Sequence, residues 1–140
     1  MENFKMDRAG IFKQIDYAFD ELGITADLTG SDYMREIIFS VCVEKYGRKD
    51  SFVKIVYPDI AEKFNTNAAN VERCIRTAIS KSWERSSDED KRNNLCKWAA
   101  RSKSAFSNKE FILILAENIS RKCNAMNQEK DKINEDSEQE

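Results

Sequence analysis

The sequence has no histidine, one proline and four glycines among its 140 residues. Without histidine it lacks the commonest general base, the usual proton switch near neutral pH and the most frequent metal ligand. Its four cysteines, Cys42, Cys74, Cys96 and Cys123, are too far apart for a C-x-x-C knuckle. A zinc site would need all four of them, so they are expected to be small buried apolar residues, with no metal and no cofactor. So little glycine and proline argues against a meander of short strands and for helices. No glycine-rich phosphate loop or motif-level carboxylate pair is present, so an enzyme is not expected. No apolar run reaches the ~18 residues of a membrane span, and the N-terminus does not read as a secretory signal. The expectation is a cytoplasmic protein.

Charge is unevenly placed. The formal net charge is −2, yet residues 124–140, "NAMNQEKDKINEDSEQE", hold six acidic and two basic side chains, leaving 21 basic against 19 acidic in the rest. From Lys91 to Lys109 there is no acid at all. A phosphate backbone responds to local charge, so the total does not exclude a nucleic-acid partner.

Apolar spacing predicts an amphipathic helix over 9–22, ended by Gly23. A second helix, capped by Thr29 or Ser31, turns Met34, Ile37, Ile38, Val41 and Cys42 inward. "GRKD" is a loop. "SFVKIVY" could be a strand or a buried helical turn; with no partner strand in view it is read as helix. Pro58 suits the first turn of a short helix that ends at Phe64. A long helix follows from about Asn67 to Arg85. Ser87 with Asp90 resembles a capping box before "KRNNLCKWAARSKSAF", a helix and loop. Ser107 with Glu110 forms another before a last helix to Lys122. Residues 1–18 are an N-terminal extension or the start of the first helix, and the resemblance set out below places the domain at 19–123. Residues 124–140 form an acidic tail expected to be disordered.

The segment "PDIAEKFNTNAANVERCIRTAI", Pro58 to Ile79, stops one helix and at once restarts another. A helix-turn-helix needs a small residue at the crossing, a left-handed residue in the turn and a second helix with one bare face. Ala61 and Asn65 meet the first two demands, and Thr66 can cap the second helix. Ile60 and Phe64 would pack on Val71 and Cys74. At 100° per residue, Val71, Cys74, Ile75, Ala78 and Ser82 share one side. Ala69, Glu72, Arg73, Arg76 and Ser80 share the other, with Thr77 nearby. Arginines on such a face can donate to guanine, and glutamate can accept from cytosine. A plain solvated face accounts for the pattern equally well.

"VYPDIAEKFNTNAANVERCIRTAISKSW", Val56 to Trp83, closely resembles the C-terminal effector domain of the stage-zero sporulation response regulator, the master regulator of endospore formation. The resemblance extends to "LGITADLTGSDYMREII" and "SNKEFILILAENI" and covers roughly Phe19 to Lys122. It implies an all-α domain of about six helices around a helix-turn-helix, specific binding of a short duplex element, and activation or repression through RNA polymerase. It assigns base contacts to the "VER-IR" block, here Glu72, Arg73 and Arg76. Thr77 stands where the family typically has histidine, and Ala69 and Asn70 where it has serine and arginine. Thr66, Asn67, Ala69, Asn70, Thr77 and Ser80 are the surrounding candidates. Lys91, Arg92, Lys97, Arg101 and Lys103 are candidates for phosphate contacts. The family normally carries a phosphoryl-accepting receiver, which residues 1–18 are too few to hold, so a natural regulator lacking a receiver is expected. A homodimer on paired half-sites is left open, with Phe4, Met6, Ile11 and Phe12 either pairing or completing the core. The alternative function is a protein-interaction module that engages RNA polymerase or the full-length regulator without specific DNA binding.

Overall fold

The computed structural model describes residues 7–85 and 107–138, with side chains through residue 127. Five α-helices and one π-helical turn make up the regular structure of the described residues: α1 (Arg8–Leu22), α2 (Thr29–Cys42), the π turn (Phe52–Val56), α3 (Tyr57–Lys63), α4 (Ala68–Arg85) and α5 (Asn108–Glu138). The fold is all-α. Helix α2 lies at the centre and packs against α1, α4 and α5. Its Met34, Ile37 and Ile38 are fully buried among Ile11 and Ile15 of α1, Val71 and Ile75 of α4, and Ile112, Leu115 and Ile119 of α5.

With so little glycine, three helices still end in the same way. Each has a left-handed residue after its last turn, flanked by two backbone hydrogen bonds that satisfy free carbonyls. After α1 the left-handed residue is Gly23, with Gly23 N donating to Asp20 O and Ile24 N to Phe19 O. After α2 it is Glu44, at φ 63°, with Glu44 N donating to Val41 O and Lys45 N to Ser40 O. After α3 it is Asn65, at φ 54°, with bonds from Asn65 N to Glu62 O and Thr66 N to Ala61 O. Asparagine tolerates this conformation; glutamate does so at a steric cost. Glu44→Gly is therefore expected to stabilise the protein by up to ~1 kcal/mol, part of the relief being offset by the freer unfolded chain. Urea denaturation checks this, and a lower midpoint would contradict it.

Several sequence expectations need correction. Neither Thr29 nor Ser31 caps α2. Its N-cap is Leu28, with no side-chain bond, and the Ser31 hydroxyl turns inward to donate to Thr25 O at 2.7 Å. Packing against α4, described below, sets how α2 begins. Val41 is only partly buried. The "SFVKIVY" segment is helical as expected, but wound as a π turn. Phe52, Val56 and Tyr57 go inward, while Val53 and Ile55 stay exposed; a strand would have alternated. Ser51 caps the turn by accepting from Lys54 N. Ile11 and Phe12 lie in the core, 2% and 8% exposed, which removes them as a pairing surface. Phe4 and Met6 lie outside the described residues, as do Ser87, Asp90 and Cys96.

The last helix also runs further than its apolar pattern. Ser107 caps it by accepting from Glu110 N at 3.1 Å, as the capping box predicts. The backbone then stays helical to Glu138, sixteen residues past the expected end at Lys122, so most of the tail read as disordered is helix. Residues 124–126 are exposed, and propagating a helix already nucleated needs only residues that do not oppose it. Residues 124–138 contain no glycine or proline. Cys42 and Cys123 are buried, as expected of small apolar residues, and burial pushes both thiols up, Cys42 to about 11.

Candidate nucleic-acid interface

Helices α3 and α4 are joined by residues 64–67 and form the helix-turn-helix. The first helix is held at both ends. At its start, the Tyr46 hydroxyl donates to Asp59 Oδ2 at 2.8 Å; burial first, then this bond, raises the tyrosine pKa. At its end, Lys63 Nζ lies 2.6 Å from Glu36 Oε1 of α2, a carboxylate that also receives Arg8 of α1 at 3.4 Å. Ile60 and Ala61 are buried, as their place at the crossing requires. Phe64 differs from expectation. It is 36% exposed and meets Tyr33 of α2 edge-on, with ring centroids 5.1 Å apart.

The cap of α4 is Asn67, not Thr66. Asn67 Oδ1 accepts from Asn70 N at 2.8 Å, satisfying a free donor of the first turn. Thr66 is left to accept from Asn70 Nδ2 at 3.0 Å. Asn70 is thereby a local hub: its Oδ1 also accepts from Arg73 Nη2 and from the Cys74 thiol. The polar turn holds itself together and orients one of the candidate arginines.

The inner face of α4 is Val71, Ile75, Ala78, Ile79 and Ser82, all buried, with Cys74 half-buried at its edge. The middle of this face meets α2 at Gly30. A Cβ on Gly30 would lie 2.1 Å from Cys74 O and 2.6 Å from Cys74 C. Two helix backbones are in direct contact there, and only glycine allows it. Farther along, the Ser82 hydroxyl donates to Leu22 O, and Arg85 Nη1 donates to Thr25 Oγ1 at 3.2 Å. Helix α4 is fastened along its length from behind.

Its outer face is open. Ala69, Arg73, Arg76, Thr77 and Ser80 are exposed, and Glu72 is half-buried at the border. Arg76 Nη2 lies 2.6 Å from Glu72 Oε1, one helical turn away. An exposed pair of this spacing is worth only about 0.3–0.5 kcal/mol, so either partner can exchange it for a stronger contact. Thr66 and Asn70 are half-buried and Asn67 is exposed. The second basic group, Lys91, Arg92, Lys97, Arg101 and Lys103, lies outside the described residues. Sequence reasoning missed Gly30, whose signal is a small residue in the first turn of α2, and Asn108 of α5, which carries no signal in the sequence alone.

The described residues contain no cluster of three or more side chains able to hold a metal ion, and no described helix is long and apolar enough to cross a membrane. The described residues thus form an all-α domain built on a helix-turn-helix that is fastened from behind and exposed in front. Residues 15–119 match the family described as "Sporulation initiation factor Spo0A C terminal". The chain belongs to this family and is an effector domain of the sporulation-regulator type. The match starts within α1 and ends within α5, so it spans the packed core.

Proposed function

We propose that this chain is a regulator that binds a specific duplex DNA sequence by placing α4 in the major groove. The observation that carries the reading is the outer face of α4, which presents Arg73 and Arg76 to solvent from a helix held rigidly behind. Glu72, Arg73 and Arg76 read base edges. Ala69, Thr77 and Ser80 line the same face at the groove, while Thr66, Asn67 and Asn70 shape the turn that enters it. A bidentate arginine–guanine contact discriminates by about 1–3 kcal/mol, well above the strength of the Glu72–Arg76 pair it would replace. Lys91, Arg92, Lys97, Arg101 and Lys103 are the phosphate contacts of this proposal. The family supports such a DNA-binding regulatory role with no catalytic step. Contact with RNA polymerase, and pairing of two copies on adjacent half-sites, complete the proposal, with the protein acting in the cytoplasm at its DNA.

Selection of bound sequences from a random duplex pool tests the reading. Enrichment of one short motif is the expected result. A pool that stays random, together with capture of RNA polymerase or of the full-length regulator, would instead favour the interaction-module alternative.

A further inference from the structure

Asn108 is the first residue of α5, 36 positions from Glu72 in sequence, yet the two meet. Asn108 is buried, 9% exposed, and its Nδ2 donates to the Glu72 carbonyl oxygen at 3.1 Å. That carbonyl lies inside α4, where the helix's own N–H four residues on already uses one lone pair. A second donor from another element is therefore an added restraint on the backbone of this turn. The Tyr57 hydroxyl, at the start of α3, also faces the Asn108 side chain; burial raises the Tyr57 pKa and the asparagine partly opposes the shift. Asn108 thus sits where the first residues of α3 and α5 meet the N-terminal part of α4. The side chains leaving α4 at this turn are Glu72, Arg73 and, one turn on, Arg76.

We infer that Asn108 is a positioning residue for the duplex-reading face: its carboxamide sets the rotation of the Glu72–Arg76 turn and so the aim of the arginines. This rests on the assignment of that face to DNA. It goes further by naming a residue that touches no DNA and yet sets discrimination. A capping role at the start of α5 is not the explanation, because Ser107 already fills it.

Two variants separate aim from stability. Asn108→Ala removes the side chain. Asn108→Asp keeps its shape and is tolerated at a helix N-terminus, but turns an acceptor toward the Glu72 carbonyl. Each is compared with the parent at a temperature where its melting curve shows it fully folded. The readouts are the ratio of affinities for the selected duplex and for a scrambled one, and the backbone amide spectrum. The expected result is a fall of about tenfold in that ratio for both variants, most of one base contact, and for Asn108→Ala, which adds no charge, non-specific affinity and its salt slope stay unchanged. Amide resonances of residues 72–77 should move with it. A purely structural asparagine would lower the melting temperature and leave the ratio among folded molecules intact; that result overturns the inference. So does a spectrum in which only residues near 108 shift. If the parent chain itself shows no discrimination while residues 72–77 still move, the DNA assignment fails and the positioning of α4 stands.

Discussion

Gly30→Ala is expected to destabilise the protein by about 2 kcal/mol or more, lowering the melting temperature by roughly 8 °C. Alanine is ordinarily the better helix former, even in a first turn, so the predicted sign is the reverse of the usual one. The reason is the geometry at the crossing. The new methyl carbon would sit 2.1 Å from the Cys74 carbonyl oxygen, which belongs to a backbone and cannot rotate away as a side chain would. One helix must lift off the other, and Val71 and Ile75 of α4 and Met34 of α2 lose contacts together. Gly30→Val should cost more. Thermal and urea unfolding of the three proteins measure this directly. A melting temperature equal to or above the parent's would show that α2 and α4 are not held in backbone contact.

The second large effect falls on binding. Arg73→Ala and Arg76→Ala should each weaken specific binding by about 1–3 kcal/mol and relax preference at one base pair, with folding stability little changed because both side chains are exposed. Their partners differ, and this separates the two variants. Arg76→Ala releases Glu72, which then faces the groove as an unpaired carboxylate near phosphate. Arg73→Ala frees only the neutral Asn70 carboxamide. The Arg76 substitution should therefore also weaken non-specific binding more than the Arg73 substitution does. Binding titrations on selected and scrambled duplexes, at two salt concentrations, separate these contributions. Equal losses on both duplexes for both variants would reduce the arginines to general cations.

What could be read in advance follows the range over which the physics acts. The break at Asn65 was legible because few residues accept a left-handed backbone and asparagine is one of them. The two faces of α4 were legible because helical periodicity depends only on spacing: Val71, Ile75, Ala78 and Ser82 are inside, and Arg73, Arg76 and Ser80 outside. The cap fell one residue away, on Asn67 instead of Thr66, since both side chains can accept the same bond and only the backbone decides between them. The contact of Phe64 with Tyr33 depends on where α2 lies, which no local pattern states. Gly30 and Asn108 are of the same kind: each matters through contact with chain segments more than 30 residues away. Helix α5 runs past its apolar pattern because that pattern reports burial, whereas a helix once nucleated propagates through residues that merely do not oppose it.

The central claim is that the outer face of α4 reads base edges, and a mutant cycle across the interface tests it most directly. The selected duplex is altered one base pair at a time, and each altered duplex is titrated with the parent, Arg73→Ala and Arg76→Ala. For each arginine one base pair should exist at which protein and DNA changes are not additive. The parent loses about 1–3 kcal/mol on that alteration while the matching variant loses almost nothing, and neighbouring base pairs behave alike for both. Strict additivity at every base pair for both arginines would contradict base reading by α4.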